Sequence, residues 1–187
     1  MQYCNFGNIL LALGVLLTLG ARELSGQAQI ISLAATAPGA LSVTVTSGAV
    51  QTIPAVVDNA LNDFPTPVVI QTSWSVHPGQ TNTVNLIAYF TLPAQAMVGG
   101  TTQIPSSRIL GRMTTGLPVA YTAITQNALG GVGSAGGSLR LFSVNIGGAN
   151  KNANRTDNLD LRLNLVGFPA LPAGAYAGVL NLRAVTQ

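Results

Sequence analysis

Few side chains in this 187-residue sequence can carry acid–base, nucleophilic or metal chemistry: one histidine, one cysteine and five carboxylates. His77 opens His77-Pro78-Gly79-Gln80, which suits a tight turn, with Pro at the second position and Gly supplying φ > 0 at the third. A zinc site would need further nitrogen, sulfur or carboxylate ligands. None is near it, so a solvated turn histidine is expected. Asp58 and Asp63 share an irregular segment, whereas Asp157 and Asp160 flank the start of a strand-like run. A glycosidase needs two carboxylates facing each other across a groove. Residues three apart on a strand point to opposite faces, so Asp157 and Asp160 are expected to cap turns or to pair with Arg155 or Arg162. There is no Gly-x-Ser-x-Gly elbow, and no Ser or Thr has a visible His–Asp partner. No catalytic residue is assigned, and the chain is read as not an enzyme.

Binding signatures are equally sparse. Asn150, Asn152, Asn154 and Asp157 have the rhythm of a calcium loop, but such loops concentrate carboxylates. Here a single carboxylate is interrupted by Lys151 and Arg155, so no metal or cofactor is expected. The five glycines between Asn127 and Ser138 lack the Gly-x-x-x-x-Gly-Lys pattern that cradles phosphate, and a strand follows them rather than a helix. The net charge of +3 rests on few charges. Arg108/Arg112 and Lys151/Arg155 are the closest basic pairs, short of the cluster that nucleic-acid binding needs. Asn154-Arg155-Thr156 is formally a glycosylation sequon and is expected in an exposed loop. Trp74, the sole tryptophan, shares a strand face with Val68, Ile70 and Val76 and is expected in the core rather than stacked on a sugar.

The elements that would hold these residues read as strands. Side chains alternate between the two faces of a strand. Leu159, Leu161, Leu163 and Leu165 alternate with Asn158, Asp160, Arg162 and Asn164, and Leu41, Val43 and Val45 alternate with Ser42, Thr44 and Thr46. Val68 to Val76 and Val84 to Leu92 form an expected hairpin about the Pro78-Gly79 turn, the second run central because it is apolar on both faces. Val119 to Thr125, Leu139 to Ile146 and Tyr176 to Val185 are further strands. Gly147 to Thr156 reads as an Asn-rich loop, and Ala55 to Leu61 suits a short helical turn because Pro54 disfavours a strand. The resulting expectation is an all-β, antiparallel sandwich of about seven or eight strands in a single domain, residues 29–187.

Ile9 to Leu19 is an uninterrupted apolar run of signal-peptide length, too short to span a bilayer comfortably. Gly26-Gln27-Ala28 is the best small-residue cleavage site, which makes 1–28 a signal peptide touching the membrane only transiently. Cys4 precedes the run, so the mature chain is expected to hold no thiol and no disulfide. Charged residues are 7% of the chain, against roughly 25% in soluble domains. That balance suits a secreted, periplasmic or cell-surface protein.

The ending Leu171-Pro172-Ala173-Gly174-Ala175-Tyr176-Ala177-Gly178-Val179-Leu180-Asn181-Leu182 resembles the last strand of bacterial fimbrial and spore-coat-protein-U-like secreted domains. Trp74, the Pro-Gly turn and the Tyr89-Phe90 strand resemble small secreted bacterial proteins. The resemblance implies an immunoglobulin-like, pilin-like sandwich whose missing strand comes from a neighbouring subunit, with self-association into filaments and a periplasmic chaperone as partners. Residues 29–37 are then the donor, with Ile31, Leu33 and Ala35 on one face, and Tyr176, Leu180 and Leu182 pair along the final strand. The alternative expectation is a monomeric extracellular module binding carbohydrate or a surface protein.

Overall fold

The computed structural model describes residues 28–29, 41–76 and 83–187. Thirteen strands run through them, and seven have five residues or more. In chain order they are β1 (Ala28–Gln29), β2 (Leu41–Ser47), β3 (Val50–Gln51), β4 (Leu61–Asp63), β5 (Val68–Ser75), β6 (Thr83–Tyr89), β7 (Met97–Gly99), β8 (Thr102–Ile104), β9 (Ile109–Met113), β10 (Thr122–Ala123), β11 (Ser138–Asn145), β12 (Asn152–Asn164) and β13 (Asn181–Thr186). The only helical elements among the described residues are two short 3-10 turns, Pro93–Gln95 and Ser106–Arg108. The protein is all-β and sandwich-like, as the alternation predicts.

One layer is a sheet in the order β10-β9-β12-β5-β2, with β4 pairing on β12 beyond the end of β5. The other is β11-β6-β13. Every pairing is antiparallel. From the first sheet Val43, Ile70, Trp74, Leu159, Leu161 and Leu163 turn inward. They meet Val84, Leu86, Ala88, Leu139, Leu141 and Leu182 of the second. Burying each such side chain contributes about 1.5–3 kcal/mol. Between the leucines of β12, Asn158, Asp160, Arg162 and Asn164 remain partly exposed, the half-wet strand that strict alternation requires.

β6 is the central strand of its sheet, and Val84 to Ala88 are buried on both faces. On its outer side Ile87 lies directly between Arg140 of β11 and Arg183 of β13. Directly opposed residues share a face, and arginine stems can shield an apolar side chain while their heads stay wet.

Four expectations are corrected. β5 and β6 do not form a hairpin with each other: β5 pairs with β2 and β12, β6 with β11 and β13. The chain changes layer between them, which side-chain parity does not encode. Ala55 to Leu61 is not helical. Asn62 replaces helix bonding with local contacts, its Oδ1 accepting from Val57 N (2.7 Å) and its Nδ2 donating to the carbonyls of Val57 and Ala60. Side-chain bonds of this kind compete with the helix ladder. Val119 to Thr125 contains only the two-residue β10. The Asn-rich segment is strand from Asn152 onward, held to β5 by the Ser75 hydroxyl donating to Asn152 Oδ1 at 2.6 Å. Asn154 of the sequon is therefore an exposed strand residue and not a loop residue.

Candidate functional site

The residues with chemical potential do not converge. The Asp157 side chain is fully buried. Arg155 Nε and Nη2 donate to it at 2.6 and 2.5 Å, and the Thr115 hydroxyl adds a third bond at 2.8 Å. Asp160 points to the other face of β12 and accepts from Arg112 Nη2 at 2.5 Å. Asp63 is paired with Arg162, whose Nε lies 2.5 Å from Oδ1, and Asp58 Oδ1 accepts from Leu171 N at 3.2 Å. The expected pairing of Asp157 with Arg155 occurs, whereas Asp160 takes Arg112 instead and Arg162 takes Asp63. The calcium-like oxygens are engaged as well: Asn150 Oδ1 accepts from Gly147 N and Asn152 Oδ1 from Ser75. Among the described residues no group of three metal-ligating side chains is found. His77 lies outside them.

Tyr121 joins two of these pairs. The guanidinium of Arg162 sits 3.9 Å from its ring centroid and that of Arg112 4.7 Å. Both cations are held in their charged form, chiefly by the carboxylates they bond. Burial, with the nearby Asp63 charge, pushes the Tyr121 phenol up. The ring is thereby occupied by cations and is not free to stack on a sugar. Trp74 is also withdrawn, 5% exposed, with its Nε1 donating to the Asn150 carbonyl at 2.8 Å.

The Arg162 hydrogen bond holds the Asp63 carboxyl below its usual range. An acid with a depressed folded-state value contributes stability above its unfolded value of about 3.9, and loses that contribution as pH falls through the folded one. Asp63 is 54% exposed, so solvent screening keeps the effect small. The melting temperatures of the wild type and Asp63→Asn are expected to differ slightly at about pH 6 and to converge towards about pH 2. A gap that persists unchanged into acid would contradict this role for the pair.

Two sheet edges left unpaired among the described residues are the clearest feature of the surface. β2 pairs only with β5, and β13 only with β6, among the described residues. The two edges lie beside each other on one side of the sandwich. No backbone hydrogen bond among the described residues reaches the outer edge of either strand. Comparison with family models, with characterised proteins and with solved structures gives no match for this chain.

The candidate pairing residues fall around these edges. Leu182 is within β13, opposite Ala88. Leu180 is buried just before the strand. Tyr176 is not in the final strand, which starts at Asn181 rather than near Tyr176; its hydroxyl donates to the Pro172 carbonyl at 2.9 Å. That segment instead borders an open cavity of about 620 Å³ between residues 52–58 and 171–176, floored by Phe64, Met97, Ile104 and Leu163. No periodic signal in the sequence marks this cavity, because two irregular segments more than a hundred residues apart make its walls. Ile31, Leu33 and Ala35 lie outside the described residues. β1, immediately before them, pairs with β3 of the same chain, Gln29 opposite Val50.

Proposed function

We propose that this is an exported, non-enzymatic structural or cell-surface protein, a pilus- or fimbria-like subunit that assembles by β-strand addition. The observation that carries the reading is the adjacent pair of edges on β2 and β13 that no strand covers among the described residues. An open edge is a template for another chain's strand, and proteins that stay monomeric normally cover, charge or interrupt it. On β13 the one charged residue, Arg183, is exposed, while β2 carries only Leu, Val, Ser and Thr. β2 runs in regular register from Leu41 to Val45, shifting only between Val45 and Ser47 at its end. In strand addition main-chain hydrogen bonds give affinity and alternate side chains give specificity. A neighbouring copy's residues 29–37, with Ile31, Leu33 and Ala35 on one face, supply a strand of suitable alternation, for which Gln29 leaves its pairing with Val50 of its own chain. A periplasmic chaperone would guard the same edges before assembly.

The low charge and the dispersed, already paired carboxylates support this reading over a secreted hydrolase. The buried Trp74 and the cation-covered Tyr121 count against a sugar-binding module that would stack on those rings. The test is electron microscopy of the exported chain with and without residues 29–37. Filaments in the intact protein and only globular particles after deletion are expected; globular particles in both samples would refute strand donation.

A further inference from the structure

We propose that a second copy of this chain docks its Leu117–Val119 loop into the end cavity, a head-to-tail contact independent of strand addition. Leu117 and Val119 are the two most exposed large apolar residues among those described, 66% and 71% accessible. They flank the half-buried Pro118 and are followed by exposed Ala120. An exposed apolar cluster of this kind ordinarily marks a contact.

The loop that presents them is anchored at several points. Met113 N donates to the Pro118 carbonyl at 2.7 Å, Leu117 N to the Leu141 carbonyl at 3.2 Å, and Thr114 N to the Asn158 carbonyl at 3.1 Å. Thr115 is held from both sides, its hydroxyl donating to Asp157 and its carbonyl accepting from Arg155 Nη2 at 3.0 Å. Anchoring lowers the entropy lost when the loop is buried, which favours its use as a docking element.

The cavity is the complementary feature. Its volume falls within the range of sites that enclose a ligand, and its floor of Phe64, Met97, Ile104 and Leu163 is apolar. The loop contacts the middle of β12 and the cavity lies at its C-terminal end. Thr115 is tied to Asp157, whereas Leu163, six residues further, lines the cavity; at strand rise that is about 20 Å. Charge agrees with the match. Exposed Asp58 lines the cavity, and exposed Arg140 adjoins Leu141, to which the loop is bonded. A knob and a hole on different surfaces make a heterologous contact, and such contacts propagate into open chains unless the rotation closes a ring.

The test is disulfide trapping in the exported chain, from which processing removes Cys4, so that only introduced thiols react. One copy carries Val119→Cys and the other Ala173→Cys; both positions are exposed. After mild oxidation of the mixture, the mixed disulfide is expected well above the proportion given by random pairing. Adding Leu117→Asp to the Val119→Cys copy is expected to remove that excess. Random proportions, absence of mixed dimer, or insensitivity to Leu117→Asp would overturn the contact. Deleting residues 29–37 leaves both thiols in place, so failure of strand addition and failure of this contact are read separately.

Discussion

Replacing Asp157 with alanine is expected to destabilise the protein by about 3 kcal/mol, because removing one partner of a buried ion pair strands the other. For a chain of this size the melting temperature should fall by roughly 6–12 °C. Three donor groups converge on this carboxylate from two segments: Arg155 Nε and Nη2 on its own strand, and the Thr115 hydroxyl across the loop. The Arg155 guanidinium is further committed, 4.3 Å from the centroid of the Phe142 ring, and cannot readily turn to solvent. Asp160→Ala is the internal control. Its pair with Arg112 is 40% exposed on the arginine side, and such pairs contribute about 1 kcal/mol or less. Thermal melts of the two variants should separate clearly. Equal losses would mean that Asp157 is not the electrostatic anchor of the 114–118 loop.

Trp74→Ala is expected to cost about 4 kcal/mol, the range for large aromatic residues removed from a packed core. Trp74 lies in β5 against the Phe142 ring of the opposite sheet, centroids 6.5 Å apart. It therefore fixes how the two layers meet. Its Nε1 bond to Asn150 also holds the turn that leads into β12. Trp74→Phe keeps most of the packing and loses the bond, so its expected cost is about 1–2 kcal/mol, from one hydrogen bond with its buried acceptor left unpaired. Denaturant titration of both variants measures the split. A Trp74→Ala protein as stable as wild type would place the indole outside the core and reopen the sugar-stacking reading.

Strand identity was readable from the residues wherever one face is wet. The leucines of β12 and the valines of β2 are buried where parity places them, and Val84 to Ala88 are buried on both faces as a central strand requires. Layer assignment was not readable. Val68–Val76 and Val84–Leu92 have the apolar runs and turn chemistry of a hairpin, yet parity states only which side of a strand is dry. It does not say whether the next strand joins the same sheet or the facing one. Ion pairing is readable only locally: Asp157 finds Arg155 on its own strand, but Arg162 reaches Asp63, ninety-nine residues away. Ala55–Leu61 went astray because the Asn62 amide outcompetes local helix bonding. The cavity and the Leu117–Val119 loop carry no sequence signature, since distant segments create both.

The central claim is that the outer edges of β2 and β13 receive an added strand when the protein assembles. Amide hydrogen exchange on the dispersed and assembled protein tests it most directly. Amides of β2 and β13 that point away from β5 and β6 are expected to exchange fast in the dispersed chain and to become protected on assembly. Amides paired with β5 and β6 should be slow in both states. Assembly that leaves the outward amides of both strands exchanging as fast as before would contradict strand addition.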